Sequence, residues 1–333
     1  MKIGNVTIQG YAALAPMAGV ADRAFREVCK EYGACYLVGE MASAKGLVRG
    51  DGKTGELLSV TDFERPMAVQ LFGDDPQIMA DAARLALAYK PDLIDLNMGC
   101  PAPKIAGNGG GSALHKNPRL AGEIIRAVSD AVHIPVTVKI RKGWDDTKVN
   151  AVEMACIAEQ NGAKAICVHG RTRAQMYAPP VDIDIIRAVK QAVSVPVIAN
   201  GDITSPQTAK QMYEQTGADL IMVGRGALGA PWLFAQINAF LGDGTLLPDP
   251  PMQTRMDVML RQVERMIAYK GEYTAIREAR KHAAWYLKGF RGAAALRRLS
   301  GELCTLDDAR RLAQEALRFN SLSEGERSDE IVP

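Results

Sequence analysis

The chain predicts an α/β fold, a (β/α)8 TIM barrel with a C-terminal all-α helical bundle, on three observations. Eight short, nearly continuous apolar runs alternate with helix-like stretches up to about residue 242. Parallel strands buried on both faces read this way, and eight βα units is the number that closes. The block Ala127-Val128-x-x-Ala131-Val132-x-x-Pro135-Val136 recurs as Ala188-Val189-x-x-Ala192-Val193-x-x-Pro196-Val197, a helix end, turn and strand used twice. Polar and ionisable residues collect at one end of the runs, and a barrel builds its active site at that C-terminal rim. A doubly wound open sheet, using the same elements in another order, is the alternative.

Taken in order, the expected strands are Tyr11–Leu14, Cys35–Met41, Pro66–Phe72, Leu93–Asn97, Val136–Ile140, Ala165–His169, Val197–Asn200 and Leu220–Val223. Amphipathic helices are expected at Asp22–Tyr32, Pro76–Tyr89, Pro118–Val132, Val149–Asn161, Ile183–Val193, Pro206–Thr216 and Pro231–Phe240. The barrel therefore occupies residues 1–242. Residues 243–252, rich in Gly, Pro and Asp, form a linker. Residues 253–320 read as a bundle of Thr254–Lys270, Thr274–Lys288, Ala293–Leu299 and Leu306–Phe319. The polar, acidic tail 321–333 is expected to lack fixed structure.

Composition bounds the class. A chain of 333 residues accommodates one large domain of roughly 250 residues and a smaller one. No apolar run approaches the roughly 20 residues of a membrane span, and the N-terminus lacks a signal-peptide pattern. Cys29, Cys35, Cys100, Cys156, Cys167 and Cys304 show no Cys-x-x-Cys spacing, which points to a reducing cytoplasm with neither zinc nor disulfides. With a net charge of only +2, any nucleic-acid surface has to come from local segregation of charge.

The strand ends carry the chemistry. Asp95-Leu96-Asn97-Met98-Gly99-Cys100-Pro101 ends a strand in a turn that presents one thiol, since Pro101 cannot continue a ladder. The run Ala106–Ser112 that follows is too glycine-rich to read as rigid and suggests a lid. An ordinary thiol has a pKa of about 8.5, so Cys100 is a serviceable proton donor near neutrality. A thiolate nucleophile would need a partner in space, such as His169. Lys139 and His169 end adjacent strands, and Gln70 offers both donor and acceptor to the amide-like edge of a flavin or pyrimidine. Read singly, each also fits a packing role. Asn200-Gly201-Asp202 and Gly224-Arg225-Gly226 end the seventh and eighth strands, where barrels often bind phosphate through backbone N–H groups. Within Arg280–Arg298, Arg280, Lys281, Lys288, Arg291, Arg297 and Arg298 occur without an acid and with Trp285, Tyr286 and Phe290 interleaved. Solvated faces usually mix signs, so this stretch suits phosphates.

Together these residues resemble the tRNA-dihydrouridine synthase family, and its bacterial B-type branch in particular. The matching segments are Leu14–Val20, Gln70-Leu71-Phe72-Gly73, Asp95–Pro101, Val138-Lys139-Ile140-Arg141, His169-Gly170-Arg171-Thr172, Asn200-Gly201-Asp202-Ile203, Gly224-Arg225-Gly226 and Arg280-x-His282-x-x-Trp285-Tyr286-x-Lys288-Gly289. The resemblance implies FMN contacted at its ring by Pro16, Met17, Ala18, Gln70, Lys139 and His169. Its phosphate would rest on Asn200, Gly201, Asp202, Gly224 and Arg225. It further implies NADPH (or NADH) as reductant of the flavin, hydride transfer from N5 to C6 of a D-loop uridine, and protonation of C5 by Cys100. Asn97, Arg141 and Arg171 would lie near the base, and Lys281, Lys288 and Arg291 would hold the tRNA. Separately from the resemblance, the chain is expected to be a monomer. A flavoenzyme for a free small molecule and a non-catalytic RNA-binding barrel are the rival readings. Two stretches depart from the family pattern: the triple glycine Gly109–Gly111, and Ala178-Pro179-Pro180 after Tyr177.

Overall fold

The computed structural model describes residues 1–289 and 292–329, with side chains as far as Ser321; Phe290 and Arg291 lie outside the described residues. Eight parallel strands form the barrel: β1 (Ala12–Leu14), β2 (Leu37–Ser43), β3 (Met67–Phe72), β4 (Leu93–Met98), β5 (Val136–Asp145), β6 (Ala165–Thr172), β7 (Val197–Asn200) and β8 (Leu220–Val223). Each pairs with the next, and β8 pairs with β1 to close the ring. The open-sheet alternative is thereby excluded.

Strand periodicity of two explains how the core divides. Ala13, Val38, Ala68, Leu93, Cys167, Ile198 and Leu220 fill the lumen as one cluster, with Ile3 and Ile8 of an N-terminal hairpin in the same cluster. Their sequence neighbours Leu14, Leu37, Val69, Ile94, Ile166, Val197 and Ile221 face the outer helices in a second cluster. Each such side chain contributes about 1.5–3 kcal/mol on burial.

The helices between strands are α1 (Arg23–Glu31), α2 (Pro76–Ala86), α3 (Pro118–Ala131), α4 (Ala151–Gln160), α5 (Ile183–Ala192), α6 (Pro206–Thr216) and α7 (Leu233–Gly242). Three begin with proline after a side-chain cap, from Asp75, Asn117 and Ser205. Proline has no N–H to leave unpaired in a first turn and starts with the right φ.

Several boundaries differ from expectation. β5 and β6 run beyond Ile140 and His169, because ladder pairing persists to Gly143↔Thr172 although the apolar pattern has ended. A short strand, Lys148–Val149, pairs antiparallel with the far end of β5. The glycine-rich run after Cys100 is folded, with a helical turn at Pro103–Ala106 and a 3-10 segment at Gly111–Lys116. Two short helices, Ala44–Val48 and Gly52–Glu56, follow β2 where no element is expected.

The C-terminal helices are α8 (Met252–Lys270), α9 (Glu272–Tyr286), α10 (Ala293–Ser300) and α11 (Leu306–Asp329). α11 continues past Ser321, where an unstructured tail is expected; extending a packed helix costs little once it is nucleated. α9 stops at Tyr286, short of the expected end at Lys288. The bundle core takes in Ala24 and Val28 of α1 and Trp232. Opposite charges line the same seam. Lys270 meets Asp22 at 2.6 Å, Arg261 meets Glu31 at 3.2 Å, and the Tyr269 hydroxyl donates to Glu27 at 2.6 Å.

Inside this seam the Tyr286 hydroxyl donates to Gln262 Oε1 at 2.9 Å, and Gln262 Nε2 lies 2.9 Å from His282 Nδ1. Burial pushes the His282 imidazole down to about 4. The folded chain then binds fewer protons there than the unfolded chain, so stability falls as pH drops from about 6.5 toward 4. Denaturant titrations across that window should show wild type losing on the order of 3 kcal/mol more than a His282→Gln variant.

Candidate active site at the strand ends

The two-residue period brings Gln70, Asp95, Asn97, Thr137, Lys139, Arg141, His169, Arg171 and Asn200 to the lumen side of the C-terminal rim. Cross-strand register sets them level: Gln70↔Asp95, Asn97↔Lys139, Arg141↔His169 and His169↔Asn200. The buried Asp95 carboxylate accepts from Thr137 Oγ1 at 2.5 Å and from Gln70 Nε2 at 2.6 Å. Its burial raises the carboxyl pKa, opposed by those two donors and by Lys139. Gln70 Oε1 accepts from Asn97 Nδ2 at 2.9 Å. Asn97 Oδ1 in turn accepts the backbone N–H of Gly99 at 3.2 Å and of Cys100 at 2.9 Å. A chain of hydrogen bonds thus runs from β5 to the Cys100 turn.

The turn is held from three further directions. Arg141 Nε donates to the Gly99 carbonyl at 2.7 Å, and its Nη1 reaches the carbonyls of Thr172 and Met176 at 3.0 and 2.8 Å. The Ser112 amide donates to the Cys100 carbonyl at 3.1 Å. Gly111 lies so close that a Cβ there would stand 2.9 Å from the Cys100 carbonyl oxygen and 3.2 Å from Cys100 Cβ, at a φ of +57°. Glycine is needed for this approach, so the run packs on Cys100 instead of hanging free. Behind it, buried His115 accepts the Arg141 N–H at Nε2 (3.3 Å) and meets Asn150 Oδ1 through Nδ1 (2.8 Å). Burial pushes His115 down, which keeps it neutral.

Cys100 is half-buried, and burial pushes its thiol up. Among the described residues its sulfur makes no hydrogen bond to His169. Burial, then the charges of Lys139, Arg141, Arg171 and Arg225, push the His169 imidazole far down. A neutral imidazole and a protonated thiol are the reverse of a thiolate–imidazolium pair.

The cations divide into two groups. Lys139 Nζ donates to Asn200 Oδ1 at 3.1 Å, and Asn200 Nδ2 donates to the Met222 carbonyl at 2.8 Å. Buried Arg171 binds the Ala178 carbonyl at 2.6 Å and the Asp202 carboxylate, which also faces exposed Arg225 at 3.6 Å. The Asp202 carboxylate is thus committed to two guanidinium groups, and what it offers an anion is its backbone, at a φ of +51°. Burial brings Arg141 down to about 10. The exposed Tyr177 ring lies 4.7 Å from the Arg225 guanidinium and 5.7 Å from that of Arg141.

Of the residues singled out from sequence, Pro16, Met17 and Ala18 follow β1, while Gly201 and Gly224 follow β7 and β8 beside it. All join the same rim. Lys281 instead reaches the Gly19 carbonyl, and Lys288 is exposed beyond α9. Arg280 binds the Leu303 carbonyl at 2.7 Å, an internal contact. Sequence reasoning overlooked Asp95, Thr137, His115 and Asn150. For Asp95 a signal existed, an acid two residues before Asn97 in an apolar strand; His115 carried none.

The family model described as dihydrouridine synthase (Dus) matches residues 13–321. "tRNA-dihydrouridine synthase B" of Vibrio vulnificus is 45% identical over 317 residues, covering 95% of this chain and 97% of that one. The protein of the same name from Pseudomonas aeruginosa is 42% identical over 293 residues, 88% of each chain. Among solved structures, histamine dehydrogenase from Rhizobium sp. 4-9 superposes with a TM-score of 0.55 at 14% identity, over 85% of this chain and 50% of that one. The 6-hydroxypseudooxynicotine amine oxidase of Pseudomonas geniculata N1 gives 0.56 at 18% identity, over 73% and 49%. This chain spans about half the length of those two structures, and the likeness is one of fold.

The raised thiol pKa has a direct chemical readout. At pH 8, iodoacetamide should alkylate Cys100 several-fold more slowly than exposed Cys304, with its rate climbing as pH is raised, because only the thiolate reacts. Mass spectrometry of the two cysteine peptides against time measures this.

Proposed function

We propose that this chain, which belongs to the dihydrouridine synthase family, reduces the C5=C6 bond of D-loop uridines in tRNA with FMN and NADPH. The oxidoreductase works, in this reading, as a single chain in a reducing cytoplasm. The observation that carries the reading is the Cys100 thiol, kept protonated by burial and fixed by Asn97 on the same rim as Lys139 and neutral His169.

The donor set fits a flavin mononucleotide. The Lys139 ammonium and the amides of Gln70 and Asn200 suit the polar edge of a flat heteroaromatic ring. Gly224 brings the end of β8 close to the loop after β1: a Cβ there would be in van der Waals contact with Ala15 Cβ at 3.7 Å and Met17 Sδ at 3.8 Å. Pro16, Met17 and Ala18 would line the ring, while the backbone of Asn200–Asp202 and Gly224, with the Arg225 guanidinium, would take the phosphate.

When bound, FMN would supply hydride chemistry at this rim, with NADPH as the proposed source of the electrons. The chain supplies the rest. Cys100 donates the proton that C5 of the uracil requires once C6 has gained a hydride, and solvent reprotonates the thiolate. Asn97 holds that thiol in place through the Cys100 amide. Lys139 and the guanidinium groups of Arg141 and Arg171 favour negative charge developing on the base, in a setting where burial strengthens each interaction. The uridine has to leave its stack to reach this rim. Exposed Lys288, Arg297 and Arg298 supply phosphate-binding charge on the bundle, as proposed also for Arg291.

Nucleoside mass spectrometry tests the assignment. In a strain whose tRNA otherwise lacks dihydrouridine, expression of the chain should restore the base at one or more D-loop positions. Absence of dihydrouridine at every position, with the protein present and loaded with FMN, would overturn it.

A further inference from the structure

We infer that Lys281, on the C-terminal bundle, is a positioning residue for the loop after β1 and not an RNA contact, an inference that rests on the flavin reading above. The loop Pro16–Gly19 leads from β1 into α1, and Gly19 takes a φ of +71° at its end. Both polar groups of Gly19 are engaged by charged side chains. Its N–H donates to the carboxylate of Glu40, buried on β2, and its carbonyl accepts from Lys281 Nζ on α9. Hydrogen bonds with one ionised partner are roughly twice as strong as neutral ones. One of the two anchors belongs to the barrel and the other to the bundle.

A second contact shows that α9 backs this corner of the rim as a whole. The loop after β8, which carries Gly224 and Arg225, passes α9 at Gly229. A Cβ at Gly229 would stand 2.2 Å from the carbonyl carbon of Trp285 and 2.5 Å from the Tyr286 nitrogen, so backbone rests on backbone. β1 and β8 are hydrogen-bonded neighbours, and the Ala15 amide donates to the Val223 carbonyl at 2.8 Å. Two adjacent strand-end loops, both assigned to the flavin, therefore lean on a single helix of the other domain. Lys270, at the end of α8, ties α9 to the start of α1 by bridging Glu278 and Asp22 at 2.6 Å each. Lys281 is half-buried and already committed, which leaves it poorly placed to bind a phosphate.

Three measurements on Lys281→Met and Lys281→Arg decide the matter. In flavin-free protein, Lys281→Met should speed hydrogen–deuterium exchange of the segment 17–22 about fivefold, leaving α9 protected. Its dissociation constant for FMN, read by quenching of flavin fluorescence, should rise about fivefold. The KM for tRNA, measured at saturating FMN, should stay within about twofold of wild type. Lys281→Arg should recover both the exchange rate and the FMN affinity, since a guanidinium can also donate to the carbonyl. Unchanged exchange and FMN affinity with a raised KM for tRNA would make Lys281 an RNA contact. Loss of protection throughout α9 would make it a packing residue; either result overturns the inference. Wild-type protein that binds no FMN would overturn the parent reading instead, while exchange in the flavin-free protein still decides the Gly19 contact.

Discussion

The buried carboxylate of Asp95 organises the catalytic rim. A charge inside a barrel is costly unless donors surround it, and Thr137 and Gln70 provide them. Gln70 is then oriented with its carbonyl toward Asn97, and Asn97 in consequence presents its own carbonyl oxygen to the amides of Gly99 and Cys100. Each link leaves the next only one satisfying orientation. Truncating any one would strand a buried polar group, at a cost of about 1–3 kcal/mol. The position of the thiol is therefore inherited from a carboxylate five residues earlier in the chain.

Electrostatics at the rim follow from the same burial. Lys139, Arg141 and Arg171 crowd around His169, and the imidazole responds by remaining neutral. The thiol sits in a place where its neutral form is favoured although cations are near; desolvation outweighs the pull of Arg141 and Lys139. A site holding several fixed cations and a thiol kept protonated suits the proposed addition of a hydride to a polarised double bond. Nucleophilic chemistry at sulfur would require the opposite balance.

The barrel was legible because buried parallel strands leave an unambiguous apolar signature, and β7 and β8 begin and end where that signature does. Where strands emerge at the functional rim the signature fails: Arg141, Lys142 and Arg171 extend β5 and β6 while interrupting the apolar pattern. The glycines after Cys100 looked like freedom, yet Gly111 serves close packing, and nothing local in sequence separates those two uses. The charge run on the bundle is legible only in part. Arg280 and Lys281 donate to the Leu303 and Gly19 carbonyls, acceptors distant in sequence that only the tertiary fold supplies.

The proton-donor role proposed for Cys100 is tested most directly by one anaerobic experiment. FMN-loaded wild type and Cys100→Ala are reduced with NADPH, mixed with an unmodified tRNA transcript, and sampled for dihydrouridine by mass spectrometry. Both proteins should accept electrons from NADPH at similar rates, while the variant forms dihydrouridine at least ~100-fold more slowly, the usual worth of a positioned general acid. Dihydrouridine formed by the variant at the wild-type rate would contradict the account.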